Sequence, residues 1–249
     1  MFEFESIGIL HTCFKEKFGI PRQSGLVPHA PGILKLRNDP LFQHALREIE
    51  NFSHLWLVFV FHQHNAKGWK PSIRPPRLGG ARKVGVLASR SPHRPNPIGL
   101  SAVKLERVDL KARGGIEIHL SGVDCLDGTP VLDIKPYLAY ADSIPHANSA
   151  WASAPIIRTP VSFSDRAKEM ISRQDSTLYP NLTELIQELL ELDPRPAFQQ
   201  GRIPPSAAEA QGTIFGFNIF HFDIQWQILN SCFHVLDVID VSSKDGIKK

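Results

Sequence analysis

The sequence predicts a mainly β N-terminal domain, barrel-like or strongly curved, followed by a smaller α+β C-terminal domain. Three observations carry this expectation. Short apolar-alternating runs separated by Gly/Pro turns fill the first half of the chain, the pattern of a closed or curved antiparallel sheet. One helix-start signal interrupts them, at Asp39-Pro40. After about residue 160 the composition shifts and a leucine repeat at helical spacing stands between strand-like runs. We place the first domain at 1–145 and the second at 160–241.

In chain order, Phe4–Thr12 reads as a first strand and Ile33–Leu36, after the Pro31-Gly32 turn, as a second. Between them Phe18–Leu26 (FGIPRQSGL) is a Pro/Gly loop. At Asp39-Pro40, Asp is an N-cap and Pro the first helical residue, and Phe42, Ala45, Leu46 and Ile49 form the apolar stripe. Leu55–Phe61 is nearly all apolar, which predicts a strand buried on both faces, with His54 packed beside it. The run ends at His62-Gln63-His64, whose two imidazoles fall on one strand face. Trp69–Gly80 (WKPSIRPPRLGG) is a long Pro/Arg/Gly loop. Val84–Ala88 is a strand that feeds a second stiff loop with Arg90, Arg94, Pro92, Pro95 and Pro97. Ser101–Arg107 and Ile116–Leu120 pair around Gly114-Gly115, and the Asp127-Gly128 turn leads into Val131–Ile134. Tyr140–Ile157 reads as a linker. Helices follow at Ser164–Arg173 and Asn181–Leu192. The second carries Leu182, Leu185, Ile186, Leu189 and Leu190 on one stripe, Asn181 and Glu184 as a capping box, and a stop at Asp193-Pro194. Ile214–Ile228 and Phe233–Ile239 close the chain as an antiparallel pair, with a loose stretch at Gln199–Gln211 and a frayed tail from Ser242.

Net charge is only +3, but its distribution is uneven. From Asn51 to Leu105 there is no Asp or Glu against nine Lys or Arg, whereas Ser164–Pro196 holds seven acids and four bases. The first block makes a local positive field suited to phosphates. Trp69 with Arg74, Arg77, Arg90 and Arg94 combines guanidinium groups with an aromatic platform, as a nucleic-acid backbone and an unstacked base require. An acidic small molecule would suit the same set. Three cysteines without CxxC spacing argue against a disulfide framework and a zinc site and for a reducing cytosol. His62 and His64 have no Cys or acid nearby to complete a metal site, so we expect none. The N-terminus has acids where a signal peptide is basic, and the longest apolar run is too short for a membrane span. There is no Gly-x-Gly-x-x-Gly fingerprint, P-loop, Gly-x-Ser-x-Gly or His-Glu-x-x-His motif, which removes the Rossmann, P-loop, serine-hydrolase and zinc-protease classes.

Six stretches in fixed order are more specific: PRQSGL (Pro21–Leu26), FSHLWLVFVFHQ (Phe52–Gln63), RPPRLGG (Arg74–Gly80), SRSPHRPNPIGLS (Ser89–Ser101), DGTPVLDIKPY (Asp127–Tyr137) and DPRPAF (Asp193–Phe198). Together they resemble the bacterial TrmO family, also described as YaeB- or TsaA-like, over essentially the whole chain. The resemblance implies a dimeric, non-Rossmann methyltransferase whose β-barrel binds S-adenosylmethionine. Its implied reaction methylates N6 of the threonylcarbamoyladenosine beside the anticodon of threonine tRNA. Carried onto this chain, the cofactor falls to Gln23, Ser24, Gly25 and Leu26, to His62 and Gln63, to Arg90 and Leu100, and to the turn Asp127, Gly128, Thr129 and Pro130. Arg90 is expected to hold the methionine carboxylate, with backbone at Leu100 and Gly128–Thr129 reading the adenine. Arg74, Arg77 and Arg94 are the expected tRNA contacts, with the threonyl carboxylate of the modified base as the alternative for Arg94, and Arg195 is the one that reaches a partner's site. His62 and Asp127 are the candidates for a general base, neither of them assigned. Phe198 stands where the family pattern has Tyr, keeping the ring and losing a hydroxyl. Two rival classes are a non-catalytic RNA-binding module and an S-adenosylmethionine enzyme for an acidic small molecule.

Overall fold

In the computed structural model, which describes residues 2–196, 205 and 211–242, the first half of the chain runs through β1 (Gly8–Thr12), β2 (Pro31–Leu36), the one-turn helix α1 (Phe42–Ala45), β3 (His54–Val60), β4 (Ser72–Ile73), β5 (Val84–Gly85), β6 (Ile98–Asp109), β7 (Glu117–Ser121) and β8 (Thr129–Pro136). Six of these strands close into an antiparallel barrel in the order β1-β2-β7-β6-β3-β8, sealed where Gly8 faces Val131. Closure follows from strict alternation. Leu10, Leu34, Leu55, Leu57, Ile118 and Val131 point inward and are fully buried, while their neighbours face out.

β3 departs from the expectation of two buried faces. Leu55, Leu57 and Phe59 are buried, but Trp56, Val58 and Val60 are only half-buried and His54 is exposed. A barrel has one interior, and among the described residues its outer wall is only partly covered where Val58 faces Leu100 and Val60 faces Ile98; Leu100 and Ile98 are 55% and 41% exposed. The helix expected from Asp39-Pro40 is a single turn. Asp39 accepts the Leu41 N–H in an Asx turn, and Glu48 in the left-handed region (φ 67°) stops propagation. After Phe61 the backbone leaves the extended region and forms a 3-10 turn at His62–Lys67, so strand alternation does not place His62 and His64. Val84–Ala88 yields only two strand residues because Val86 turns back to bond Pro71 O and opens a 3-10 turn.

The segment read as a linker lies along the barrel. It contains α2 (Ala139–Asp142) and a 3-10 turn at Ala150–Ala152. Asp142 accepts the Trp56 indole N–H (3.0 Å), and Trp151 donates to Ala88 O (3.2 Å). Beyond it come β9 (Val161–Phe163), α3 (Asp165–Ser172), α4 (Leu182–Glu191), β10 (Ile214–Ile219), β11 (Phe222–Leu229) and β12 (Cys232–Asp240). These strands form a sheet ordered β10-β11-β12-β9, with β9 parallel to β12 and the rest antiparallel. The expected single strand at Ile214–Ile228 is a hairpin, broken at Phe220, which adopts φ 53°. Leu182, Leu185, Ile186, Leu189 and Leu190 are buried as their spacing predicts. The capping box is absent: Asn181 sits at φ 58° and its side chain accepts no cap bond, whereas a capping residue needs an extended backbone. Ser164 has that backbone and caps α3 through the Ala167 N–H at 3.0 Å. Phe198, the tail after Ser242 and nearly all of the stretch 199–211 lie outside the described residues. No described helix is long and apolar enough to cross a membrane.

Candidate active site

One cleft, of about 440 Å³, opens where four segments converge: the β1–β2 loop, the end of β3, the start of β6 and the turn before β8. Its base depends on one glycine. A Cβ at Gly99 would lie 2.2 Å from the Phe59 ring, so the ring of β3 lies across the glycine of β6. Pro21, Arg22 and Gln23 make one wall, and Asp124, Leu126 and Thr129 line the cleft from the turn. The stiff proline loop contributes Arg90, Pro92 and Arg94.

The polar groups divide into those that face the cleft and those that build its walls. Arg90 Nη1 donates to Gln23 Oε1 at 2.5 Å across the mouth. Arg94 Nη1 donates to the loop carbonyl of Ser89 at 3.1 Å, so this guanidinium stiffens its own loop while lining the cleft. His62, Gln63 and His64 line it, the His64 ring edge-on to His93 at 5.0 Å. Asp127 does not line the cleft. Its carboxylate accepts the Thr12 N–H (2.9 Å) and the Lys15 ammonium (2.7 Å), and His11 lies 3.4 Å away. Burial would push its pKa up, but these bonds outweigh that and hold it below the ordinary carboxylate range. The Asp127 and Gly128 N–H groups are also committed, to Phe14 O and Leu10 O.

The cleft thus brings together Gln23, His62, Gln63, Arg90, Arg94, Leu100 and Thr129. Ser24, Gly25, Leu26, Asp127, Gly128 and Pro130 are not among its lining residues. Arg74 is exposed, outside the cleft, and Arg77 donates to Ala154 O. Arg195 has no outward reach in this chain. Its side chain is 2% exposed, forked onto Asp193 by two 2.7 Å bonds and packed against Phe233.

Sequence reasoning passed over Arg22, Trp56, Ser101 and, above all, Asp124 as cleft residues. Asp124 is the one carboxylate among the described residues lining it. Ser101 Oγ donates to Asp124 Oδ1 at 2.7 Å, and burial pushes the Asp124 pKa up against that bond. The available signal was a lone acid inside the apolar run Val123–Leu126. Among the described residues, no group of three or more His, Cys, Asp or Glu is placed to hold a metal ion. All three cysteines are free thiols, and burial pushes those of Cys13 and Cys125 upward.

Fold and site define a barrel protein with an arginine-rimmed, water-accessible cleft and an appended α+β region. Residues 9–143 match the profile of the tRNA-methyltransferase O N-terminal domain, and residues 157–241 match that of the TrmO C-terminal domain. The chain belongs to the tRNA-methyltransferase O family. It is 43% identical over 235 residues to the tRNA (adenine(37)-N6)-methyltransferase of Escherichia coli K12, covering 94% of this chain and 96% of the relative. It is 40% identical over 241 residues to a Pseudomonas aeruginosa protein described as a putative S-adenosylmethionine-dependent methyltransferase, covering 96% and 97%. The human tRNA (adenine(37)-N6)-methyltransferase is 48% identical over 143 residues, 56% of this chain and 31% of that one. The crystal structure of TrmO from Pseudomonas aeruginosa superposes with a TM-score of 0.76 at 36% identity, covering 96% of this chain and 98% of that one.

Proposed function

We propose that the protein transfers a methyl group from S-adenosylmethionine to N6 of threonylcarbamoyladenosine beside the anticodon of threonine tRNA. It acts as a cytoplasmic homodimer of two-domain chains (1–145 and 160–241). The relatives' described activities support the reaction and the tRNA substrate. The observation that carries the reading on this chain is the cleft, whose arginines and Asp124 carboxylate sit beside the acid-free basic loops. Its volume lies within the roughly 300–1,000 Å³ of small-molecule sites. Its donor set also fits the cofactor: a guanidinium for a carboxylate, and Leu100, Phe59 and Leu126 for an adenine face.

When bound, the cofactor supplies an electrophilic methyl on a sulfonium. The chain's part is alignment and proton handling. Arg90, kept at the mouth by its Nη1 bond to Gln23, holds the methionine carboxylate through its remaining N–H groups. Asp124 takes the N6 proton on its carboxylate as the nitrogen–methyl bond forms, with Ser101 fixing its orientation. Asp127 is too committed to Lys15 and Thr12 for that role. Arg94, already oriented by its loop, meets the threonyl carboxylate, and Arg74 and Arg77 meet anticodon phosphates. The homodimer is tested by sedimentation velocity, where a monomer overturns that part of the reading.

Mass analysis of nucleosides from threonine tRNA incubated with protein and cofactor tests the reaction. The expected result is a one-methyl gain on threonylcarbamoyladenosine that disappears after ribonuclease pretreatment. No gain there overturns the reading. Methylation that survives ribonuclease favours a small-molecule substrate, and absence of any cofactor binding favours a non-catalytic RNA-binding module.

A further inference from the structure

The cleft wall at Pro21–Gln23 belongs to the connection between β1 and β2, residues 13–30, which contains no helix or strand. A stretch of that length has little internal reason to keep one shape. The C-terminal region holds it at both ends. At the first end, the Phe220 N–H donates to Cys13 O at 2.7 Å, and Glu16 Oε1 accepts both the backbone and side-chain N–H groups of Asn218 at 3.0 Å. Midway, the Phe217 ring packs against Gly19, where a Cβ would meet it at 3.0 Å. At the second end, Glu188 on α4 engages His29 twice: Oε2 accepts the backbone N–H at 3.1 Å and Oε1 pairs with Nδ1 at 2.7 Å. Arg158 bridges the same junction, pairing with Glu191 at 2.7 Å and donating to Leu26 O at 3.0 Å. On the barrel side the loop is met by Gly122, whose carbonyl accepts the Gly25 N–H at 2.9 Å, and by Arg90 at Gln23.

We infer that the C-terminal region is the positioning element for the cofactor loop, acting through Glu188 and Arg158 on Leu26–His29 so that Gln23 meets Arg90 at the cleft mouth. The inference rests on the reading of this cleft as the S-adenosylmethionine site. The acidic bias of 164–196 acquires a use here: Glu188 and Glu191 face the loop and Arg158, which fits a clamp and not a phosphate contact. The energetic consequence is preorganisation. A loop ordered in advance loses little conformational freedom when ligand arrives, and one released from its clamp must be ordered by the ligand.

The test uses the full chain. S-adenosylhomocysteine is titrated calorimetrically into wild type, Glu188→Ala, Glu188→Gln, Arg158→Ala and Ser164→Ala, the last as a remote variant that loses a helix cap. Hydrogen exchange of peptides spanning 20–30 is followed in parallel. The expected result is dissociation constants raised by about tenfold in Glu188→Ala and Arg158→Ala, faster exchange confined to the loop, and a single-turnover rate at saturating cofactor within about twofold of wild type. Glu188→Gln falls between, because its amide oxygen still accepts the His29 N–H. Wild-type affinity in both alanine variants overturns the inference. So does an equal loss in Ser164→Ala, which would make the effect one of stability. No binding by wild type itself overturns the cofactor reading and the inference with it, an outcome distinct from binding that ignores the clamp.

Discussion

Asp124 and Asp127 stand three positions apart, and their surroundings push them in opposite directions. Asp127 is held ionised by Lys15 and Thr12. Asp124 faces the cleft with burial raising its pKa, as a proton acceptor requires. For a carboxyl raised in the folded state, the native protein binds more protons than the unfolded chain between the two pKa values. Its stability contribution is therefore present at low pH and lost as pH rises through the folded value. Asp124→Asn keeps an acceptor for Ser101 and removes the charge. Thermal melts are expected to show it more stable than wild type at neutral pH, with the difference closing below the ordinary carboxylate range. Its single-turnover methylation is expected to fall roughly 10²–10⁴-fold with cofactor affinity preserved. A loss of affinity with the rate at saturation unchanged would make Asp124 a cofactor contact instead. Arg90→Ala is the complement: loss of a charged hydrogen bond worth about 1.5–3 kcal/mol is expected to weaken S-adenosylmethionine binding some 10–100-fold by calorimetry.

At the scale of elements, the register of β3 on β6 is read by one pair. Phe59 faces Gly99, and the ring fills the space a side chain would take. Gly99→Ala forces that ring aside at a cost of about 1–3 kcal/mol by denaturant melts. Because Phe59 lines the cleft, cofactor binding is expected to fall too. The helix termini give a paired contrast. Ser164→Ala removes a working cap and is expected to cost about 1 kcal/mol. Asn181→Gly removes no cap bond and relieves a left-handed non-glycine residue (φ 58°), so it is expected to be neutral or stabilising by a few tenths of a kcal/mol despite the looser unfolded chain. The helix α4 was legible because five leucine or isoleucine residues share one stripe. Its cap was not legible, because the motif N-x-x-E does not report the backbone angle that makes it a cap.

At the scale of the molecule, the basic block from Asn51 to Leu105 and the acidic one from Ser164 to Pro196 take different roles. The first leaves Arg74 exposed beside the cleft-forming loops. The second turns Glu188 and Glu191 inward on the β1–β2 loop and Arg158. Arg74→Ala is expected to lower tRNA affinity, to reduce the magnitude of the salt-dependence slope by about one unit, and to leave S-adenosylmethionine binding untouched. An unchanged slope in a filter-binding series over salt concentration would remove Arg74 from the interface.

The chain's own pattern is enough for the class of the first half, the buried leucines and the helical stripe of α4. These are local matters: alternation and spacing follow from strand and helix geometry, and ordered motifs carry their own context. It could not separate cleft groups from wall groups. Asp127, in the conspicuous turn, proved to be bonded to Lys15 and Thr12 across more than a hundred residues, and Asp124, in a plain apolar run, faces the cleft. Nor could it show that Tyr140–Ile157 lies along the barrel, that the outer face of β3 is only half-buried, or that Glu188 grips His29. Each depends on contacts between residues distant in the chain, and barrel closure and the docking of the C-terminal region are what bring them together.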